Sequence, residues 1–417
     1  MKVAGIIAEY NPFHNGHEWH VAETRRLTGC EAVVAVMSGN FVQRGEPAMF
    51  DKWARAEMAV RSGVDLVLEL PAAFTVRSAQ YFAAGGVRLL AALGEVDTVS
   101  FGAEHPQLDA LEKLAGAVDD EAVVCELRNR LDSGLPYAAA LGRALAARTG
   151  LPATLVASPN NILAVEYIRA LRRYAPHIRP LAVARRQAGY HDTAITGNIA
   201  SATAVRAALG GKSAEVAYAA LPPASQALIG ALTGEGRGPV AFNELATVLL
   251  ARLRQASLAE LAALPDVAEG LEYKLREAGQ AGSLSEALAV LKSRRYSQTR
   301  LQRILIYAML GASKAQFSAW DASGPLYARV LAFGDSGRRL LRRLASTAAL
   351  PLIGKTSRFL KSREIDDGDL SPLQAMLAFD TRASDLYVLA MPNPDFRRGG
   401  WDFRRSPRYI ASPGYGR

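Results

Sequence analysis

The sequence predicts an α/β protein: a Rossmann-like, doubly wound parallel sheet followed by a mainly α-helical C-terminal domain. Three observations predict it. Short apolar runs rich in Val, Ile and Leu recur through the first two hundred or so residues, as strands buried on both faces do. Helical stretches fall between them, the alternation expected of a parallel sheet with crossover helices. After about residue 240 the strand signals become few and apolar residues recur at helical spacing.

Taken in order, strands are predicted at 3–8, 32–37, 64–69, 96–101 and 178–184, with helices near 16–28, 50–62, 78–93 and 161–174. Residues 107–150 are rich in Leu and Ala and read as a helical insertion into a catalytic domain spanning 1–210. Ala, Gly and Pro dominate 211–240, including Leu221-Pro-Pro-Ala224, so this stretch is expected to be a linker. Residues 241–391 form the expected helical domain, and 392–417, basic and rich in Pro and Gly, the expected flexible tail.

At 417 residues, half of them hydrophobic, the chain can bury sizeable cores in two or three domains. It has no apolar run of bilayer length, and Glu9 interrupts the first apolar segment, which argues against a signal peptide. Its two cysteines, Cys30 and Cys125, form neither a disulfide framework nor a metal pattern, so a cytoplasmic protein is expected. A net charge of +9 favours polyanionic partners such as nucleotides or RNA.

The chemistry is expected to centre on the first break in the chain. Val3–Ala8 reads as a strand, Asn11-Pro12 as a turn, and a helix resumes near Gly16, with His14-Asn-Gly-His17 at the junction. Backbone N–H groups and the helix dipole make such a junction an anion site, and two imidazoles add donors. The second strand runs into Met37-Ser-Gly-Asn-Phe-Val-Gln-Arg-Gly-Glu-Pro47, where Gln43, Arg44 and Glu46 offer polar contacts and Asp51, Lys52 and Arg55 follow on a helix. The alternatives are an acceptor pocket or a solvated loop. Gly102, in Ser100-Phe-Gly-Ala-Glu-His105, would allow a nucleoside close to the backbone, and His105 reads equally as surface. Asn160 and Asn161 open a helix; one suffices as a cap, which leaves the other for a ligand. Arg185 and Arg186 end the fifth strand, where a guanidinium pairs phosphate oxygens. Ser201, Thr203 and Arg206 open a further helix and can converge on a phosphate, although Ser201 also reads as an ordinary cap.

Two patterns fail on mechanism. Gly210-Gly-Lys-Ser213 lacks the leading glycine and strand of a P-loop. His14, His17 and His20 lack the carboxylates or cysteines to complete a zinc site, so no protein-held metal is expected. In the helical region, Lys292, Arg294, Arg295, Arg300 and Arg303 with Tyr296 form a basic, aromatic-bearing stretch suited to RNA, or simply a solvated helix face.

The H-x-G-H turn with the later Ser-x-Thr-x-x-Arg helix start resembles the H-I-G-H nucleotidyltransferases. Ala8-Glu-Tyr-Asn-Pro-Phe-His-Asn-Gly-His17, Ser38-Gly-Asn-Phe-Val-Gln-Arg-Gly-Glu-Pro47, Phe101-Gly-Ala-Glu104, Pro159-Asn-Asn-Ile-Leu163, Tyr190-His-Asp192, Ser201 to Arg206 and Arg295-Tyr-Ser-Gln-Thr-Arg-Leu-Gln-Arg-Ile304 are together similar to the tRNA(Met) cytidine acetate ligase family. The resemblance covers roughly 1–390 in scattered blocks. It implies a bacterial ligase that makes acetyl-adenylate from acetate and ATP, with Mg²⁺, and acetylates the N4 amine of the wobble cytidine of elongator tRNA(Met). It also implies an ATP site of Ile7, Ala8, Glu9, Tyr10, Asn11, Pro12, Phe13, His14, Asn15, Gly16, His17, Glu18, Trp19 and His20, with Gly102, Asn160 or Asn161, and Arg185 or Arg186. The superfamily lends the phosphate role of Ser201, Thr203 and Arg206, and His14 and His17 are expected to act on the departing pyrophosphate. Competing readings are a small-metabolite adenylyltransferase on the same fold, a class I aminoacyl-tRNA synthetase, disfavoured by the lack of a K-M-S-K-S-like loop, and a non-catalytic RNA-binding protein.

Overall fold

The computed structural model describes residues 1–133, 135, 137–185, 197–211, 214–293 and 296–411. Five parallel strands lie within about two residues of their predicted places: β1 (Val3–Ala8), β2 (Ala32–Ser38), β3 (Leu66–Leu70), β4 (Thr98–Ala103) and β5 (Arg179–Ala184). Every residue of β2 and β3 is buried, which is why these stretches read as unbroken apolar runs. β1 lies between β2 and β4, so successive crossovers run in opposite directions from it. Beside that reversal, at the carboxyl ends of the strands, an open α/β sheet leaves its ligand crevice. The insertion is three helices, Leu108–Ala117, Glu121–Asp132 and Tyr137–Thr149.

The C-terminal half departs from the expected separate helical domain. Ala328–Phe333 forms β6, which pairs antiparallel with β3 from Leu66↔Phe333 to Glu69↔Arg329. β7 (Leu352–Ile353) and β8 (Arg408–Tyr409) add to β6. One eight-stranded sheet therefore crosses the expected boundary. The sequence signal was weak because β6, Ala-Arg-Val-Leu-Ala-Phe, is a single short apolar run between strongly helical neighbours.

The expected linker is also built into the fold. Pro223–Glu235 is a helix that buries Ile229 and Leu232, and Val240 N–H donates to the Met49 carbonyl at 2.8 Å. Residues 392–411 of the expected flexible tail are built into the fold, with Trp401 and Asp402 buried. A charge cluster holds it. Lys52 Nζ donates to Glu69 Oε1 at 2.8 Å and to Asp402 Oδ2 at 2.9 Å, and Arg329 Nη1 reaches the same Asp402 oxygen at 2.6 Å. The cations of 392–411 pair internally as well, Arg405 with Asp51 at 3.8 Å and Arg408 with Glu57. Among the described residues no helix is long and apolar enough to cross a membrane.

Candidate active site

A cavity of about 370 Å³ opens at the carboxyl ends of β1, β4 and β5. Ile7, Ala8, Glu9 and Tyr10 reach it from the end of β1, and His14, Gly16, His17, Trp19 and His20 from the helix Asn15–Thr28. Gly102, Asn160, Arg185, Ser201, Thr203 and Arg206 line the remaining walls. Gln43 and Arg44 of the second-strand loop also line it. Residues from about two hundred positions of chain thus meet in one crevice, as the strand ends predicted.

Six expected contacts face elsewhere. Asn11 is buried and its Oδ1 accepts from Met49 N–H at 2.8 Å. Pro12 is buried and Phe13 is part of the core. Asn15 Nδ2 donates to the Asn198 and Ala219 carbonyls at 2.7 and 3.1 Å. Glu18 does not line the cavity. The asparagine pair divides its labour: Asn161 Oδ1 accepts from Glu104 and His105 N–H, while Asn160 lines the cavity. A run of fourteen consecutive residues cannot face one ligand, because the turn must also anchor itself. Arg186 lies outside the described residues.

The histidines are set by the helix they begin. His14 is the N-cap of Asn15–Thr28, and its Nδ1 accepts from Gly16 N–H at 3.0 Å. His17 Nδ1 accepts from His14 N–H at 3.3 Å, which completes a reciprocal capping box made of two imidazoles. A ring nitrogen that accepts carries no proton, so each neutral ring keeps its hydrogen on Nε2. The rings stack with centroids 3.7 Å apart. Burial, with Arg185 and Arg206 nearby, pushes His14 down to about 3; burial and the His14 ring lower His17 well below its ordinary value. Both are therefore neutral donors near pH 7. Gly16 is required by this arrangement, since a Cβ there would lie 2.9 Å from His14 Cε1. Its absence of side chain spares the capping ring first, and only then leaves room for a ligand.

His20 has a different orientation. Thr24 Oγ1 donates to the His20 carbonyl at 2.7 Å, so it accepts from Ser100 Oγ, 2.7 Å away. Ser100 in turn accepts from His20 Nε2 at 2.9 Å, which leaves Nδ1 as the acceptor of that ring. Burial, then Arg185, lowers His20 to about 4.

Residues outside the expected set hold the turn. Arg55 is fully buried; its Nη1 donates to the Glu9 carbonyl at 2.6 Å, its Nε to the Phe50 carbonyl at 2.9 Å, and its Nη2 to the Ser38 and Gly39 carbonyls. One guanidinium thereby ties the carboxyl ends of β1 and β2. Tyr10, next in chain, holds φ at 47°, a region rare for a non-glycine residue. Arg206 Nη1 donates to the Asn11 carbonyl at 3.1 Å, and Ser201 caps its helix by accepting from Ala204 N–H at 3.0 Å. The hydroxyl-and-arginine helix start thus braces the histidine turn while it lines the cavity. In the sequence Arg55 reads as one of several polar groups on a helix; its burial could not be read there. The apolar walls Phe82, Phe101 and Tyr167 were also missed. The Phe101 and Tyr167 rings, 5.6 Å apart and inclined by 34°, give this wall aromatic surface.

The expected RNA stretch is only partly a surface. Arg303 is buried, and its backbone N would lie 2.4 Å from a Cβ on Gly45, in the loop that carries Gln43 and Arg44. Gln302 Nε2 donates to Glu46 Oε1 at 3.0 Å. This end of the helix Gln298–Leu310 packs on the cavity loop, so Arg303 is removed from any RNA face. Arg300 donates to the Asp266 carbonyl at 2.7 Å and lies 4.5 Å over the Tyr296 ring; Lys292 is exposed; Arg294 and Arg295 lie outside the described residues.

Among the described residues no group of three or more His, Cys, Asp or Glu side chains is placed to hold a metal ion. Glu9 is the carboxylate in the cavity wall, and its Oε1 accepts from Gln43 N–H at 3.0 Å.

Known proteins match this chain over nearly its whole length. Residues 1–401 match the HIGH Nucleotidyl Transferase family. A tRNA(Met) cytidine acetate ligase of Acetivibrio thermocellus is 38% identical over 97% of this chain and 99% of its own, and one of Syntrophomonas wolfei is 38% identical over 98% and 99%. The crystal structure of Thermotoga maritima TmcAL without ligand superposes with a TM-score of 0.91 at 33% identity, covering 99% of this chain and all of that one. The same protein bound with alpha-thio ATP gives 0.89 at 32% identity, with the same coverage of both chains. With the crevice, the paired histidines and this full-length likeness together, the chain belongs to the tRNA(Met) cytidine acetate ligase family of HIGH nucleotidyl transferases.

Proposed function

We propose that this protein joins acetate to ATP and passes the acetyl group to the N4 amine of the wobble cytidine of elongator tRNA(Met). The observation that carries the reading is the imidazole capping box: two neutral rings, each with Nδ1 engaged and Nε2–H remaining, at a helix N-terminus in the cavity wall. In the first step an acetate oxygen attacks the α-phosphorus, the bond to the bridging oxygen breaks, and pyrophosphate leaves. Acetate is already ionised near neutral pH, so no general base is needed. The requirement is for donors at oxygens that gain charge, which the Nε2–H groups of His14 and His17 supply. Bound Mg²⁺ would supply further charge neutralisation on the phosphates. In the second step the cytidine amine attacks the acetyl carbonyl; the carbon–oxygen bond to AMP breaks and the amine loses a proton. The cytosine must leave its stack to reach the cavity.

The assignment uses Ile7 to Tyr10, His14, Gly16, His17, Trp19 and His20 for ATP, with Gly102, Asn160 and Arg185, and Ser201, Thr203 and Arg206 on the phosphates. The Phe101–Tyr167 wall would take the adenine, and Lys292 and Arg300 remain RNA contacts. Incubation with acetate, ATP and total tRNA, followed by nucleoside mass analysis, tests the whole reading: one acetyl group gained on cytidine is expected. His17→Ala is expected to abolish acetate-dependent ATP–pyrophosphate exchange while the fold survives, and normal exchange in that variant would sink its assigned role.

A further inference from the structure

The helix Asp335–Thr347 buries one narrow stripe, Gly337, Leu340 and Leu344, against the sheet. Gly337 is pressed on the Asp65 carbonyl just before β3, and Thr347 Oγ1 donates to the Leu93 carbonyl at 3.1 Å shortly before β4. The helix therefore crosses the amino-terminal ends of the strands, opposite the cavity. Its outer face carries Arg338, Arg339 and Arg342, all exposed. Arg339 donates to Ser336 Oγ at 2.9 Å, and Arg338 lies 5.9 Å over Tyr409, whose hydroxyl donates to Asp335 Oδ1 at 2.6 Å. Arg343 pairs with Glu95 at 2.9 Å and opens a second feature, a polar recess of about 390 Å³ whose walls include Met1, Asp97, His177 and Arg179. Arg179 begins β5 beside Thr98 of β4, and in the recess Glu95 and Asp97 offset Arg343 and Arg179, so the exposed arginines of the helix form the cationic band along this end of the sheet.

We propose that this band binds the body of the acceptor tRNA, away from the nucleotide being modified. The inference rests on RNA being the acetyl acceptor. Guanidinium groups suit phosphate oxygens, and a row of them follows a backbone of regularly spaced negative charge. The exposed side of the helix carries Arg and small residues rather than the Leu, Phe and Trp that a membrane-lying helix would insert. The sheet is about 20 Å deep, roughly six or seven residues of strand. A folded RNA longer than that can rest a stem on the band while a single-stranded loop enters the cavity at the other end. Lys292 and Arg300 then supply a second contact nearer the cavity loop.

The test is filter binding of unmodified tRNA to the full chain across a salt series, with wild type, R338E/R339E/R342E and R338K/R339K/R342K. The charge-reversed protein is expected to bind at least about tenfold more weakly. Its slope of log K against log salt should be shallower by roughly one for each phosphate the protein no longer neutralises. The lysine variant, which keeps the charge, should retain the slope. Acetate-dependent ATP–pyrophosphate exchange should be unchanged in both. Wild-type affinity and slope in the charge-reversed protein would overturn the proposal, as would a slope that falls equally in both variants. Absence of exchange in the wild type would overturn the acetate-activation reading alone, because tRNA binding is measured without turnover.

Discussion

The side-chain chemistry turns on where two hydrogens sit. Because backbone N–H groups occupy Nδ1 of His14 and His17, the hydrogen of each neutral ring is on Nε2. Protonation would break the cap as well as add charge. His14 titrates at about 3 when folded and near 6.5 when unfolded, so between these values the unfolded chain binds more protons. Its contribution to stability is complete above about pH 6.5 and is lost as pH falls towards about 3, by up to about 1.4 kcal/mol per pH unit. The expected result is a melting temperature that falls below about pH 6.5 and falls less steeply in His14→Asn. Across roughly pH 6 to 8 the exchange rate should show no histidine ionisation, since the essential rings stay neutral; a limb with pKa near about 6.5 in the wild type would contradict this. Gly16→Ala separates cap from fold. The added Cβ would displace the His14 ring, so exchange is expected to fall by about tenfold to a hundredfold while the melting temperature moves little, as loss of a helix cap costs only about 1 kcal/mol. Much of this was legible in the sequence, because H-x-G-H at a strand-to-helix break names its residues and their surroundings. The tautomers were not, because they depend on which N–H groups the folded turn leaves over.

The elements show why some side chains predicted to serve the ligand serve the scaffold. Asn11 and Asn161 have polar ends that the sequence offered to ligands and that are spent on backbone N–H groups inside the fold, and Arg303, offered to RNA, is buried. A motif records which residues a turn needs, without dividing those that touch the ligand from those that shape the turn. Lys52 is the sharpest case. It opens the helix Lys52–Arg61 after the cavity loop, fully buried, and bonds both oxygens of Glu69 and one of Asp402. Lys52→Met would leave Glu69 and Asp402 buried with Arg329 as their remaining close cation. Breaking a buried pair from one side typically costs about 3–5 kcal/mol. Chemical denaturation should show a loss of that size, and Lys52→Met combined with Asp402→Leu should recover part of it, because the second change removes one of the stranded charges.

At the scale of the molecule, the first five strands were legible because parallel strands buried on both faces are apolar throughout, whatever the rest of the chain does. The boundary near residue 210 was misplaced because a composition shift marks a change of architecture and need not mark a break in the core. β6 covers the edge of β3, and Glu69 on β3 faces Arg329 on β6. Arg237, from the expected linker, pairs with buried Asp51 at 2.8 Å, and Asp402, from the expected tail, closes the Lys52 cluster. A fragment ending at residue 210 would lack all three partners and expose β3 as an unpaired apolar edge, a template for aggregation. Two domains joined by a linker would melt in two steps, and the first would fold by itself. The structure instead predicts one cooperative transition in scanning calorimetry of the full chain, and a 1–210 fragment that aggregates or remains unfolded. A soluble fragment with a sharp melting transition and full ATP binding would show that the sheet's outer strands are dispensable to its core. The same connection explains how the C-terminal half reaches the chemistry: Gln302 and Arg303 press on the loop bearing Gln43 and Arg44, so the element expected only to recruit RNA also forms part of the support for the cavity wall.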